Sequence, residues 1–333
     1  MLGRQRRPLH ALGVVVSGSK VVVSAIVSET PSIRLLRLAR EDGAPLGPYR
    51  AGAHIDVTGP TGILRQYSLC GPPAETATLA IAVKLEPESR GGSAALHRLC
   101  EGDIIEIGEP RNILGIVSGA DRHALIAAGI GITPLLSMAY ELYSSGADFT
   151  LDYICRDRVE TAFADLLENR AEFRDRVRLH TGLSRDEQRE VLESVAATLT
   201  RDSVVYTCGP TGFMGTVAEI VTPVVGETNL HTEYFEAAEI DISGDTAFTV
   251  ELDTGESFEI PADRSILSVL EDNGVDVFKS CEEGICGSCV SNVLEGEPEH
   301  RDNCLSVADK AAGNQMALCV SRSKSPKLVI ELI

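Results

Sequence analysis

No apolar run in this 333-residue chain approaches the roughly 20 residues that a membrane span needs. Basic residues are scarce: 30 Lys and Arg stand against 49 Asp and Glu, a formal charge of −19. Nucleic acid is thereby excluded as a partner, because phosphate contacts need a basic face. The G-x-G-x-x-G fingerprint of dinucleotide-binding folds is absent, as are internal repeats and low-complexity tracts. The seven histidines are scattered without metal-ligand spacing and read as surface or packing residues. The N-terminus has a basic start and a short apolar run but no A-x-A cleavage site, so residues 1–19 read as an extension and not as an export signal. What remains is ordinary globular composition, 44% hydrophobic and 24% charged, enough for two or three domains. The expected setting is the cytoplasm, with no membrane partner and a monomeric chain.

Cysteine is not scarce, and its spacing organises the reading. Cys281-Glu-Glu-Gly-Ile-Cys286-Gly-Ser-Cys289 is followed far downstream by Cys319. This is the C-x4-C-x2-C…C pattern of a plant-type [2Fe–2S] site. Two irons need four thiolates, so one tight loop supplies three and a second segment closes the cage. Gly284 and Gly287 let the loop turn. A structural zinc is the competing reading, but zinc ribbons usually carry two C-x2-C knuckles and only one such pair is present. Disulfides are disfavoured by nine cysteines without a secretory context. Cys304 is a fifth thiol of this region that does not fit the motif. From Asp245 to Ile333 there are 17 Asp and Glu against 7 Lys and Arg, a net of −10 in about a quarter of the chain. That acidity suits docking to a basic patch on a protein partner, or simply a solvated face.

Residues 20–117 read as a β-barrel. Short β-rich runs at Val21–Val27, Ile33–Leu38, His54–Thr58, Leu64–Leu69, Thr78–Lys84 and Asp103–Ile107 are separated by Gly/Pro-rich turns, with one helix near Ser93–Leu99. Arg65 and Tyr67 share one face of their strand and Ser68 takes the other. An Arg suits a phosphate, and a Tyr ring stacks on a flat heterocycle. Arg90-Gly91-Gly92-Ser93 opens the helix, as an anion pocket or as a plain turn with a Ser cap.

Residues 118–238 alternate strand and helix, which predicts a parallel, doubly wound sheet. Ala124–Ala128 leads into Gly129-Ile-Gly131-Ile-Thr133-Pro134 and a helix. Gly129–Thr133, Cys155–Arg158 and Cys208–Pro210 fall at strand ends and are expected to line one crevice. Cys208 has no paired His and reads as a small polarizable group beside a nicotinamide, not as a nucleophile. Arg156 and Arg158 can hold a 2′-phosphate, which Asp157 opposes. Residues 239–245 read as a linker, and 246–333 as an α+β unit with a hairpin, a helix and the cysteine loop.

Together these motifs resemble the phthalate dioxygenase reductase family, with vanillate demethylase reductase subunits equally similar. The matching stretches are Arg65–Cys70, Ala82-Val-Lys84, Arg90–Ser93, Pro110-Arg-Asn112, Gly129–Pro134, Cys208–Pro210, Cys281–Cys289, His300-Arg-Asp302 and Cys319. Ala128 stands where the family usually has glycine. The resemblance implies a flavin barrel, an NADH domain and a C-terminal β-grasp ferredoxin. It also implies FMN, held by Tyr67, Ser68, Ala82, Val83, Lys84, Gly91, Gly92 and Ser93, with Arg65 assisting the phosphate. Thr133 and Phe235 would lie by the flavin ring. NADH would meet Gly129, Gly131, Pro134, Arg156, Cys208, Gly209 and Pro210. Hydride transfer would occur near Thr133, Cys208 and Phe235, with no side chain acting as acid or base. Cys281, Cys286, Cys289 and Cys319 would bind the cluster, which would pass electrons to a Rieske-type terminal oxygenase. The alternatives are a cytochrome P450 as partner, an FAD-binding phenylacetyl-CoA-type reductase, or a zinc-binding interaction module.

Overall fold

The computed structural model describes residues 18–87, 91–237 and 240–332. The N-terminal extension (residues 1–17 of it) and Arg90 of the glycine turn lie outside these residues. Three sheets follow one another along the chain.

The first contains β1 (Ser19–Ser28), β2 (Ile33–Ala39), β3 (Ala53–Thr58), β4 (Leu64–Ser68) and β5 (Leu79–Lys84). After α1 (Gly92–Leu96) come β6 (Ile104–Ile107) and β7 (Arg111–Asn112). The order is β4-β3-β6-β1-β2-β5, antiparallel throughout, with β7 on β3. A Leu69–Ile81 bridge joins the two outer strands and closes the sheet into a barrel. Closure leaves no free edge and wraps a core of Val23, Leu36, Leu38, Ile55, Leu69 and Ile81.

The second sheet holds β8 (Arg122–Ala128), β9 (Phe149–Cys155), β10 (Val177–Thr181), β11 (Ser203–Cys208) and β12 (Leu230–Glu233). All are parallel, in the order β10-β9-β8-β11-β12. Helices α2 (Ile132–Ser144), α3 (Ala164–Asn169), α4 (Arg185–Ala196) and α5 (Thr211–Val225) connect them. Both faces of β8 are covered, so its Ala124–Ala128 stretch is an unbroken apolar run whose Leu125 and Ile126 are fully buried. Each such side chain contributes roughly 1.5–3 kcal/mol of burial. The strand order reverses between β8 and β11, which makes their carboxyl ends the ligand-binding crevice of this topology.

The third sheet is mixed. It contains β13 (Phe248–Leu252), β14 (Ser257–Ile260), β15 (Val290–Glu295), β17 (Gln315–Ala317) and β19 (Lys327–Glu331), ordered β14-β13-β19-β15-β17. Helix α6 (Ile266–Asp272) packs on it, a short β16 (Pro298–Glu299) pairs β18 (Arg322–Ser323), and α7 (Val307–Ala312) precedes β17. Asp245, the last residue of the expected linker, is anchored here by Arg301 in bidentate contact at 2.9 and 2.5 Å, and by Arg322 at 3.3 Å. Among the described residues no helix is long and apolar enough to cross a membrane.

Candidate functional site: one cavity touched by all three sheets

A cavity of about 440 Å³, of the size that small-molecule sites occupy, opens where the three sheets meet. The barrel lines it with Arg65, Tyr67, Ser68, Ala82, Lys84, Gly92 and Ser93. The parallel sheet adds Gly129, Thr133, Gly209, Pro210 and Phe235, and the cysteine loop adds Ile285 and Cys286.

On the barrel side, the half-buried Tyr67 lines the cavity from β4. Among the described residues no carboxylate pairs with the Arg65 guanidinium, which donates to its neighbour's carbonyl, Leu64 O, at 2.7 Å. A Cβ on Gly92 would stand 3.3 Å from Arg65 Cγ. A bare backbone beside an uncompensated cation fits an anionic group. Helix α1 has five residues and so offers little dipole; an anion here relies on side chains and backbone N–H groups instead.

On the parallel-sheet side the expected residues divide. Gly129, Thr133, Gly209, Pro210 and Phe235 face the cavity. Gly131, Pro134, Cys208 and Arg156 do not line it. Gly131 is a packing glycine: a Cβ there would stand 2.2 Å from the Cys208 carbonyl oxygen. Pro134 is buried in the first turn of α2. Cys208 is fully buried in the core, so its thiol is not a cavity group; burial pushes it well up, and the neighbouring Glu233 adds to this. Arg156 is exposed beyond β9, and the segment Cys155–Arg158 as a whole stays clear of the cavity. Val83 likewise points into the barrel core, and Gly91 is the left-handed cap of α1. Ala128 packs against Gly209, whose own Cβ would stand 2.9 Å from it.

The cysteine loop places its thiols two by two. The free Cys281 and Cys286 thiols are neighbours that shift each other's titration, as are those of Cys289 and Cys319. Backbone N–H groups of Cys281 and Ser288 point at Cys286 Sγ at 3.5 Å, and that of Glu283 points at Cys281 Sγ at 3.3 Å. Such donors stabilise thiolates. The bond from Cys281 holds the Cys286 thiol well below its ordinary range, against burial. Among the described residues no three His, Cys, Asp or Glu side chains converge as for a single ion. Two pairs of thiols suit two irons instead. Gly284 makes the loop possible: its φ is +72°, and a Cβ would meet Val320 Cγ2 at 2.7 Å. Asp302 packs against the loop, its Cα 3.2 Å from where a Cβ on Gly284 would stand, and accepts from Leu305 N at 2.8 Å and from the Cys304 thiol at 3.4 Å. The His300-Arg-Asp302 motif is thus structural, with Arg301 on Asp245.

The profile for "2Fe-2S iron-sulfur cluster binding domain" matches residues 250–324. Vanillate O-demethylase oxidoreductase of Pseudomonas sp. (strain HR199 / DSM 7063) is 41% identical over 316 residues, 94% of this chain and 99% of that one. Phthalate dioxygenase reductase of Burkholderia cepacia is 42% identical over 298 residues, 89% and 91%. The chain belongs to the phthalate dioxygenase reductase family. A solved phthalate dioxygenase reductase, described as a modular structure for electron transfer from pyridine nucleotides to [2Fe-2S], overlaps with a TM-score of 0.69 at 39% identity. The overlap covers 95% of this chain and 98% of that one. An intact type IV self-sufficient cytochrome P450 monooxygenase overlaps at 0.85 with 34% identity, over 98% of this chain and 43% of that one.

Within this phthalate dioxygenase reductase fold, two buried titratable residues of the cavity escaped the sequence reading. Glu233 ends β12, a four-residue strand whose Leu-His-Thr-Glu sequence carries no apolar alternation. Burial pushes its carboxyl up to about 8, against a hydrogen bond from Ser68. His54 on β3 is 3% exposed, and among the described residues neither ring nitrogen has a partner. Burial, helped by Arg111, lowers it to about 4. Both therefore stand neutral near pH 7.

Glu233 gives a pH prediction. Its carboxyl titrates near 8 when folded and near 4.5 when unfolded, so between these values the folded state holds a proton that the unfolded state releases. This contribution to stability is complete below 4.5 and is lost as pH rises through 8. Glu233→Gln should flatten that slope, amounting to about 1–5 kcal/mol. Denaturant unfolding at pH 5 and pH 8.5 of both proteins measures it; an unchanged slope would place the proton elsewhere.

Proposed function

We propose that this chain is the reductase component of a multicomponent oxygenase, taking electrons from NADH and delivering them one at a time to a Rieske-type terminal oxygenase. The observation that carries this reading is the single cavity bounded by Tyr67 and Ser93, by Gly129 and Thr133, and by Cys286. The residues fit FMN on the barrel side and a [2Fe–2S] cluster in the cysteine loop. When bound, FMN accepts a hydride from NADH and exchanges single electrons with the cluster, chemistry that belongs to the cofactors. The protein aligns them. Tyr67 supplies a platform for the ring, and Arg65, Lys84 and Ser93 hold the phosphate beside Gly92. The ends of β8 and β11 hold the nicotinamide end of the coenzyme at Gly129 and Gly209-Pro210. Phe235, on the exposed rim, covers the cavity. The neutral Glu233 acid presents a hydrogen-bonding group without a charge that would repel an electron-rich ring.

The substrates of the named relatives, vanillate and phthalate among them, point to aromatic acids as the oxygenase's substrates. The cytoplasm is the setting that suits nine free cysteines, and the chain acts as a monomer. Mixing the purified chain and NADH with a Rieske oxygenase, and separately with a P450, tests the partner. Reduction of the first alone is expected; reduction of the P450 alone would reassign it.

Coenzyme choice follows from the end of β9. Arg158 is engaged with Glu168 at 2.9 and 2.6 Å and lies 3.7 Å from Asp165. Asp157 adds a negative charge where a 2′-phosphate would approach. NADH is therefore favoured. Glu168→Ala should release Arg158 and raise NADPH use relative to NADH by roughly 2–5-fold, the worth of an exposed ion pair. The ratio of kcat/KM for the two coenzymes measures this, and no change would remove Arg158 from coenzyme selection.

A further inference from the structure

The Pro110-Arg-Asn112 stretch lies outside the shared cavity, yet its Arg111 stands at a contact between the barrel and the cysteine-loop unit. Arg111 donates twice to Asp56, at 2.9 and 2.7 Å. Asp56 is 8% exposed, and its Oδ1 also accepts from Gln66 Nε2 at 3.0 Å and from Ser280 Oγ at 2.7 Å. Gln66 Nε2 reaches Ser280 Oγ as well, at 2.5 Å. The Arg111 guanidinium lies 5.8 Å from the centroid of the Phe278 ring. Two residues on, Ile113 Cγ2 lies 3.4 Å from where a Cβ on Gly287 would stand.

The placement of these contacts is specific. Ser280 directly precedes Cys281, and Gly287 directly follows Cys286. The barrel therefore grips both ends of the Cys281–Cys286 loop, whose Ile285 and Cys286 face the cavity. Asp56 and His54 point from the same face of β3, so the strand that bounds the cavity also carries the grip. Burial alone would raise the Asp56 carboxyl, but its bonds to Arg111, Gln66 and Ser280 outweigh this and hold it below its usual range. A carboxylate kept charged at the junction is a strong acceptor for Ser280.

We propose that Asp56, Gln66 and Arg111 form a seat for the cysteine loop and act as positioning residues for electron transfer from the flavin site to the cluster. This rests on the reading of the cavity given above. In each transfer one electron leaves the reduced flavin and one ferric iron of the cluster becomes ferrous; tunnelling between them falls exponentially with separation. Asp56 and Arg111 stand outside the cavity, and Gln66 borders it. The seat fixes how often, and how closely, the Cys286 side of the loop lies against the cavity.

The experiment uses the full cofactor-loaded chain with two variants, Asp56→Asn on the barrel and Phe278→Ala on the other unit. Anaerobic rapid mixing with NADH follows flavin and iron–sulfur absorption separately, and X-ray scattering of the same samples follows compactness. Flavin reduction at the wild-type rate is expected, with unchanged iron content and an unchanged cluster spectrum. Cluster reduction should be about tenfold slower, the docked population lost with one charge-assisted hydrogen bond, and the particle should be more extended. Wild-type cluster reduction and compactness in both variants would overturn the seat. So would flavin and cluster reduction slowing together, which marks general damage. Should Asp56→Asn not fold, Phe278→Ala decides alone. A wild-type chain that takes no flavin would count against the cavity reading and not the seat, which the scattering then tests by itself.

Discussion

Cys289→Ser should leave NADH-dependent flavin reduction intact and bring reduction of an iron–sulfur partner to background. The thiols stand in two pairs, so losing Cys289 leaves Cys319 alone on its iron. Cys304 is the thiol nearest in sequence to a substitute, but it does not serve. It is held by Asp302, and burial together with that carboxylate pushes it far above the ordinary thiol range. Cys304→Ser should accordingly keep full iron and acid-labile sulfide. Iron, sulfide and partner-reduction assays on both variants check this pair of outcomes. Full partner turnover by Cys289→Ser would remove Cys289 from the cluster.

The second large effect is expected at Gly131. An alanine Cβ would stand 2.2 Å from the Cys208 carbonyl oxygen, 2.4 Å from its carbon and 2.6 Å from Gly209 N. These are backbone atoms and cannot swing aside. Relief requires the first turn of α2 to part from the end of β11, at the point where the strand order reverses. Overpacking of this kind costs about 1–3 kcal/mol, and the fixed obstacle puts Gly131→Ala at the upper end. Gly129→Ala is the control. Its φ is +54° with nothing within 4 Å of a Cβ, so only backbone strain of about 1–2 kcal/mol is added. Thermal unfolding and KM for NADH should both suffer more at Gly131 than at Gly129. The reverse order would mean that Gly129 matters for the coenzyme and Gly131 does not pack as described.

Features carried by local spacing were legible in the sequence. The 281–289 cysteine run, the glycine turn after β8 and the strand–helix alternation each express a constraint within a few residues, and the folded chain has the loop, the turn and the alternation at those places. Side-chain direction was less legible. Cys208 and Val83 belong to matching motifs but face the core, because in a strand the motif fixes the backbone and parity fixes the face. Gly131 reads as a ligand-approach glycine until its distance to Cys208, 77 positions later, is known. Long-range pairings were not legible at all. β12 is too short and too polar to announce itself, so Glu233 was missed; Ser280 and Asp56, 224 positions apart, meet only in the folded chain. The acidic excess of residues 245–333 is partly spent internally, on Arg301, Arg322, Lys324 and Lys327.

The central claim is that one chain carries electrons from a nicotinamide, through a flavin in the shared cavity, to the cluster in the cysteine loop. Anaerobic titration of the purified chain with NADH, followed by absorption and by electron paramagnetic resonance, tests it most directly. The account predicts bleaching of a flavin band together with the resonance of a reduced [2Fe–2S] cluster, with no other protein present. A flavin that bleaches while the cluster stays oxidised, or a chain with no such resonance after chemical reduction, would contradict it.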